Sequence, residues 1–410
     1  MRAVFLTPVL PSRSGMGLAM RAGSQLKGLM RAFSVTTCVI PVIETGENPG
    51  CFASGFPASK LEMLDCTGQQ DHYFRLISAL SDPEERLVHF ERYGKPSLSA
   101  AMSDAIARRV ADLAARDGAS HVHAFRSYLL PALDLLAEGV TRSIDLDEDD
   151  VSSCLSTARV MDLAGRNMAA RWNRLEARAF DRLMAQKLTA FRAVTLANAE
   201  DLPGMLARYP GLPLRALPNG VPVPPLAATA GAGARRDLLF VGSLRYEPNV
   251  EGLLWFMTAV LPRLPGVRLL VAGRSPPPLL RAHARPGRVE FLGYVQNLAG
   301  AYRRAALAIA PMRSGGGTRL KILEAGAHAV PVVATPQSVA GLLQPGRFWG
   351  ITASGPRHFA AACRHLLDHP REARRLGRLG RHVVASHFCS QSVEDAWAEL
   401  FRAWQRGDEA

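Results

Sequence analysis

Residues 307–336 read LAIAPMRSGGGTRLKILEAGAHAVPVVATP, and the punctuation of this stretch sets the fold class. Leu307–Ala310 is a short apolar run stopped by Pro311. Ser314-Gly315-Gly316-Gly317 follows, a loop with almost no side chains to hold a ligand off the backbone. Thr318 is a good N-cap, and Leu320, Ile322, Leu323 and Ala327 form a stripe that buries one face of a helix. Val330–Ala334 is a β-branched run suited to a sheet covered on both sides. Strand, glycine loop, helix and strand in that order imply an α/β chain with a parallel sheet.

A glycine loop feeding a helix offers backbone N–H groups and the positive end of the helix dipole to an anion. By itself such a run is equally well a tight turn. Arg319 and Lys321 tilt the reading, because cations in a first helical turn oppose the dipole unless an anion lies nearby. Glu324 adds to it as a carboxylate within an otherwise apolar helix segment, Ile322 to Ala327. A carboxylate can accept two hydrogen bonds from a vicinal diol such as ribose. Phosphate cradle and diol acceptor on one helix fit a nucleotide.

The stretch GGGTRLKILEAGAHAVPVVAT resembles the signature of the retaining glycosyltransferases of family four, or group one. Further matches follow in order: LLFVGSLRYEPNVEGLLWF (238–256), VRLLVAGR (267–274), VEFLGYV (289–295) and VATPQSVAGL (333–342). The resemblance is specific over about 236–342 and looser before it, and it is nearest to the subgroup with Pro248-Asn249 after the first strand. It implies the GT-B fold, two Rossmann-like domains facing each other across a cleft, and transfer from a nucleotide sugar without a bound metal or other cofactor. It gives Tyr294 and Val295 the place of the base-binding loop. Where many members carry an Arg and a Lys for the diphosphate, this chain has Ser243 and Glu247 or Pro248. Arg245 is then the substitute, and Arg319 and Lys321 the stronger diphosphate ligands. The family's Glu-x7-Glu pattern keeps its second member, Glu324, whereas Gly316 holds the first place, so the N–H groups of Gly315–Gly317 are expected to meet the donor sugar.

A length of 410 residues with 48% apolar content suits two domains. The net charge of +13 is uneven: residues 1–205 hold 23 Lys+Arg and 24 Asp+Glu, residues 206–410 hold 26 and 12, and Lys321 is the only lysine of the second half. Such a field draws nucleotide diphosphates or an anionic bilayer. Nucleic acid is not the expected partner, since no aromatic interleaving or nucleic-acid module accompanies the charge. The six cysteines are scattered without a CxxC pair, which speaks for reduced thiols. Pro8 and Pro11 interrupt the first apolar run, so it reads as a strand rather than a leader. No apolar stretch approaches the length of a membrane span. The expected location is the cytoplasm, with peripheral contact at the membrane's inner face left open.

The expected first domain is 1–222. Ala3–Thr7 is a strand, Gly15 and Gly17 punctuate the following turn, and a helix runs from about Leu18 to Ala32. Arg21 reads as a solvated charge on that helix. Phe33–Ile43 is a second strand, and 46–93 reads as an insert with short helices. His121-Val122-His123-Ala124-Phe125 is a strand with both histidines on one face, at an end where open α/β sheets bind ligands. The resemblance places the family's active-site histidine at His123, with His121 beside it; Arg126, just beyond the strand, is placed to face a phosphate or acidic acceptor. It also turns Gly15 and Gly17 toward donor phosphates or acceptor. Asp145–Asp150 is acidic but lacks the calcium-loop spacing and reads as N-capping for a helix over 151–156. A long arginine-rich helix is expected over 159–192.

Residues 223–236 form the clearest linker, of Pro then Ala and Gly. The second domain is expected over 237–387, with a strand at 238–241, Gly242 as its turn and a helix over 249–261. The last helix, 390–405, is amphipathic. Packing back on the first domain is its expected role, with membrane docking the alternative. The implied function is a metal-independent retaining transferase moving a sugar from a nucleotide-diphosphate sugar to a hydroxyl. Lipid-linked saccharide, polysaccharide or small molecule are the open acceptor classes. A degenerate non-catalytic GT-B partner, or an epimerase or phosphorylase on the same fold, are the rivals.

Overall fold

The computed structural model describes residues 1–42, 49–66, 71–225, 236–316, 320–342 and 348–406. Gly317, Thr318 and Arg319, with most of the expected linker, lie outside the described residues. The chain divides into two compact units, Met1–Pro218 with Val393–Ala410, and Asn219–Ser392.

In the first unit seven parallel strands order as β3-β2-β1-β4-β5-β6-β7: β1 (Arg2–Thr7), β2 (Ser34–Val39), β3 (Lys60–Met63), β4 (His121–Phe125), β5 (Thr141–Asp147), β6 (Ala193–Leu196) and β7 (Leu214–Ala216). Val4, Leu6, Val122 and Ala124 bury on one face with the helices Asp104–Arg116 and Asn167–Lys187. Ala3 and Phe5 bury on the other with the helix Gly17–Met30 and with Val393, Trp397, Leu400, Phe401 and Trp404 of the terminal helix Ser390–Arg406. A Cβ on Gly28 would lie 2.4 Å from that of Trp397, so the glycine sets the closeness of the two helices. The expected insert holds helices Pro49–Gly55, His72–Ala79 and Pro83–Tyr93 around β3, an edge strand too short and too exposed to read from the sequence. The expected long helix breaks in two at Gly165 (φ 70°), between Asp150–Leu163 and Asn167–Lys187.

In the second unit six parallel strands order as β10-β9-β8-β11-β12-β13: β8 (Asp237–Val241), β9 (Arg268–Ala272), β10 (Val289–Gly293), β11 (Ala305–Ala310), β12 (Val332–Ala334) and β13 (Gly350–Thr352). Strand order reverses between the first and fourth of these, so their carboxyl ends splay the following loops apart, the usual ligand position in an open α/β sheet. Both units are Rossmann-like, with helices on both faces of a parallel sheet. Among the described residues no helix is long and apolar enough to cross a membrane.

Candidate functional site

The reversal point of the second domain lies between β8 and β11. Gly242 follows β8, where a Cβ would come within 2.8 Å of Asn249 Nδ2 and 3.2 Å of Lys321 Nζ. Glycine here lets a backbone turn, an amide and an ammonium crowd together. Asn249 sits in the helix Glu247–Trp255, and its Nδ2 donates to the Ser243 carbonyl at 2.9 Å. Its other end accepts from Lys321 Nζ at 2.6 Å. The ammonium also lies 3.3 Å from Met312 Sδ and 4.6 Å over the Phe240 ring. These contacts fix the position of the ammonium at the turn after β8.

The chain after β11 is braced from behind. Thr335 Oγ1 donates to the Met312 carbonyl, Ser338 Oγ to the Ala310 carbonyl at 2.7 Å, and Gln337 Nε2 to the Gly315 carbonyl at 2.9 Å. With those carbonyls held, Gly315 takes φ 88°, a region glycine enters without strain. Gly315 and Gly316 therefore lead from a fixed frame toward the helix Leu320–Ala327. Lys321 and Glu324 stand three apart on that helix, one turn apart on one side.

Glu324 is half-buried. Burial pushes its carboxyl up to about 7, against the opposing pull of Lys321 and of the nearby Tyr302 hydroxyl, which donates to the Lys321 carbonyl at 3.5 Å. Tyr302 is buried and stacks on His328 at 4.6 Å, and burial together with the Glu324 charge holds its phenol well above the ordinary value. On the same carboxyl edge, Tyr294 follows β10 and is 49% exposed, with half-buried Val295 behind it. The Arg274 guanidinium, after β9, lies 3.9 Å over its ring. Arg245 is exposed on the turn after β8, its N–H on Ser243 Oγ at 3.4 Å.

Residues 235–369 match the family described as glycosyl transferases group 1. That match lies within the second domain. Over 198 residues the chain is 32% identical to glycogen synthase of Mycobacterium tuberculosis in two strains, covering 45% of this chain and 46% of the relative. It thus aligns with about half the length of the curated relatives it matches. Among solved structures, sucrose-phosphate synthase from Thermosynechococcus elongatus superposes with TM-score 0.70 at 15% identity over 100% of both chains. S. aureus TarM in a complex that includes UDP gives 0.65 at 9% over 98% and 99%. Anabaena HepE with UDP-glucose gives 0.63 at 11% over 98% and 100%. At these identities the likeness shows the fold, which is GT-B.

In the second domain the structure brings Gly242, Gly315, Gly316, Lys321 and Glu324 to one edge, with Tyr294, Val295 and Arg245 on neighbouring loops. Sequence reading missed Asn249 as the partner of Lys321, Tyr302 as the neighbour of Glu324, and the Thr335-Pro336-Gln337-Ser338 brace. The Thr-Pro start of that brace, an N-cap signal, was the legible trace.

The first-domain candidates come out differently. His123 is fully buried: its Nδ1 bonds Ser143 Oγ at 2.8 Å, its Nε2 bonds Gln25 Oε1 at 3.0 Å, and Phe401 lies 4.9 Å away edge-on. His121 Nε2 shares the Ser143 hydroxyl at 2.8 Å, and its ring stacks on Phe33. Burial pushes His121 down to about 4 and His123 well below the ordinary value. Both lie buried beneath the terminal helix with internal hydrogen-bond partners, whereas the expectation from sequence is a catalytic His123 with His121 on the acceptor side. His121 opens β4 and His123 is its middle residue.

Arg126 does stand at that end, but its guanidinium is already taken. It pairs with Asp150 at 2.7 Å, Glu148 at 3.2 Å and Asp147 at 3.3 Å, against the expectation that it faces an external anion. Arg21 is likewise no solvated charge: it is buried and clamps Asp145 at 2.6 and 2.7 Å. Asp149 caps the helix Asp150–Leu163 by accepting from the N–H groups of Val151 and Ser152. Gly15 takes φ 97°, and Gly17 opens the first helix. Among the described residues no three His, Cys, Asp or Glu side chains group to hold a metal.

Proposed function

We propose that this chain is a retaining glycosyltransferase that moves a sugar from a nucleotide-diphosphate sugar to an acceptor hydroxyl. The observation that carries the reading is the meeting of a pinned ammonium, a glycine loop and a half-buried carboxylate at the strand reversal of the second domain. Lys321 and the N–H groups of Gly315 and Gly316 stabilise the diphosphate as its leaving oxygen gains charge. Glu324 accepts from the ribose diol and fixes the nucleoside. Tyr294, with Arg274 on its face, offers a platform for the base. Thr318, Arg319 and Gly317 belong to the same cradle by sequence. Glycogen synthase as a relative, and UDP or UDP-glucose in TarM and HepE, support a nucleotide sugar as donor.

In the step itself the bond from the sugar's anomeric carbon to the phosphate oxygen breaks, and a bond from that carbon to the acceptor oxygen forms on the same face. The acceptor's proton passes to the departing phosphate. This front-face course asks for no covalent nucleophile and no histidine, in keeping with the enclosure of His123. The acceptor class stays as broad as a hydroxyl on a saccharide, lipid-linked saccharide or small molecule. The arginine excess of the second domain supports peripheral contact with an anionic membrane as part of the same reading.

The test is a thermal-shift screen of nucleotides and nucleotide sugars on the whole chain, followed by turnover with an acceptor panel. One nucleotide sugar should raise the melting temperature, since ligand bound to the native state stabilises it. Lys321→Ala should lose most of that shift and at least tenfold in turnover while melting normally without ligand. A full shift in Lys321→Ala would overturn the site. Binding without turnover on any acceptor would favour the non-catalytic rival, and epimerised donor without acceptor would favour the epimerase.

A further inference from the structure

The helix Pro370–His387 presses one face into the second domain through Ala373, Leu376, Gly377, Gly380, Val383 and Val384. The fit is close: a Cβ on Gly377 would lie 2.0 Å from the Ala329 carbonyl oxygen, and one on Gly380 would lie 2.5 Å from the buried Trp349 ring. Two glycines with no room for a methyl lock the rotation of the helix about its axis. Its opposite face is therefore fixed outward. That face carries Arg371, Arg374, Arg375 and Arg378 at i, i+3, i+4 and i+7, with His382 one turn beyond, all exposed. The four arginines run about 10 Å along the axis, or about 16 Å with His382.

A solvated helix face ordinarily mixes signs, whereas this one carries a single sign. The neighbouring acids are engaged elsewhere: Glu372 is held by His365 at 2.9 Å and Asp368 by Arg236 at 3.1 Å. Arg381 turns inward and donates to the Ala327 carbonyl at 2.6 Å. Among the described residues none of the four row arginines pairs with a carboxylate. Residues 219–392 hold 22 Lys+Arg against 7 Asp+Glu, a net +15, so the domain behind the row has the same sign.

We propose that this arginine row is the surface by which the protein docks on an anionic phospholipid bilayer; the proposal rests on the peripheral-membrane reading above. A straight row of guanidiniums on a rigid helix meets a plane of phosphates along its whole length. No large apolar side chain is exposed on the helix, so the hydrocarbon has nothing to take up, and among the row's side chains His382 alone offers nucleic-acid bases an aromatic ring. Docking is then electrostatic, reversible and salt-labile.

The experiment is co-sedimentation of the whole chain with vesicles of phosphatidylcholine alone or mixed with phosphatidylglycerol. The chain should bind the mixed vesicles at low salt and not the neutral ones. Joint substitution Arg371→Gln, Arg374→Gln, Arg375→Gln and Arg378→Gln should weaken binding roughly 100- to 1,000-fold and leave the nucleotide-induced thermal shift unchanged. Equal binding by this variant overturns the row while the membrane reading stands; no binding by the unaltered chain overturns both. Release from vesicles by polyphosphate or single-stranded DNA at equal charge would assign the row to a polymer instead. Should the fourfold variant fail to fold, binding by the unaltered chain that survives about 0.5 M salt overturns the proposal.

Discussion

At neutral pH the Glu324 carboxyl stands near its own midpoint, because burial lifts it to about 7 against an unfolded value of 4.5. Between those values the folded carboxyl keeps a proton that the unfolded chain has released. Stability therefore falls as pH rises through that window and levels off above 7. Ligand binding runs the other way. A ribose diol donates to carboxylate oxygens, so the ionised form is the one that binds, and a nucleotide sugar must displace the proton at lower pH. Its affinity should tighten about five- to tenfold between pH 6 and pH 8, with proton release visible by calorimetry in two buffers of different ionisation enthalpy. A nucleotide sugar suits this measurement because its phosphates do not titrate there. Glu324→Gln should flatten the profile; a steep profile surviving in that variant would remove Glu324 from the ribose site.

Among the elements, the terminal helix shows what a sequence tells and what it withholds. Its stripe Val393, Trp397, Leu400, Phe401 and Trp404 was legible from spacing alone, and so were β4 and the paired face of His121 and His123. Period-two alternation says that two side chains share a face; it does not say what covers that face. The cover comes from the far end of the chain, where Trp397 and Phe401 close over His123 at 5.8 and 4.9 Å. The glycine loop and its helix, by contrast, were legible because their chemistry is local: glycine, cation and carboxylate fall within a few residues. Asn249 was not, since its partner Lys321 is distant in the chain and a Pro-Asn pair reads as a helix start. If the terminal helix is a structural lid on the histidine face, Trp397→Ala should cost about 3–5 kcal/mol by denaturant titration, while the nucleotide thermal shift remains. Loss of nucleotide binding with unchanged stability would give the helix a different role.

Over the whole molecule, charge is divided by domain. The net +15 of residues 219–392 sits beside a net −2 in the remainder, although both halves use the same parallel-sheet plan. Fold does not require that asymmetry, so its effect belongs to what approaches the second domain. A cationic field focuses diphosphates toward the carboxyl edge of the sheet and raises the rate of encounter more than the strength of the final complex. Raising salt from about 50 mM to about 300 mM shortens the Debye length and should lower the association rate constant of a nucleoside diphosphate several-fold. Its dissociation rate constant, which the proposed contacts at Lys321 and the glycine loop would set, should change little. Stopped-flow binding separates the two: an association rate indifferent to salt would show that the domain's field plays no part in capture. A salt effect confined to dissociation would place the charge within the bound complex rather than along the approach.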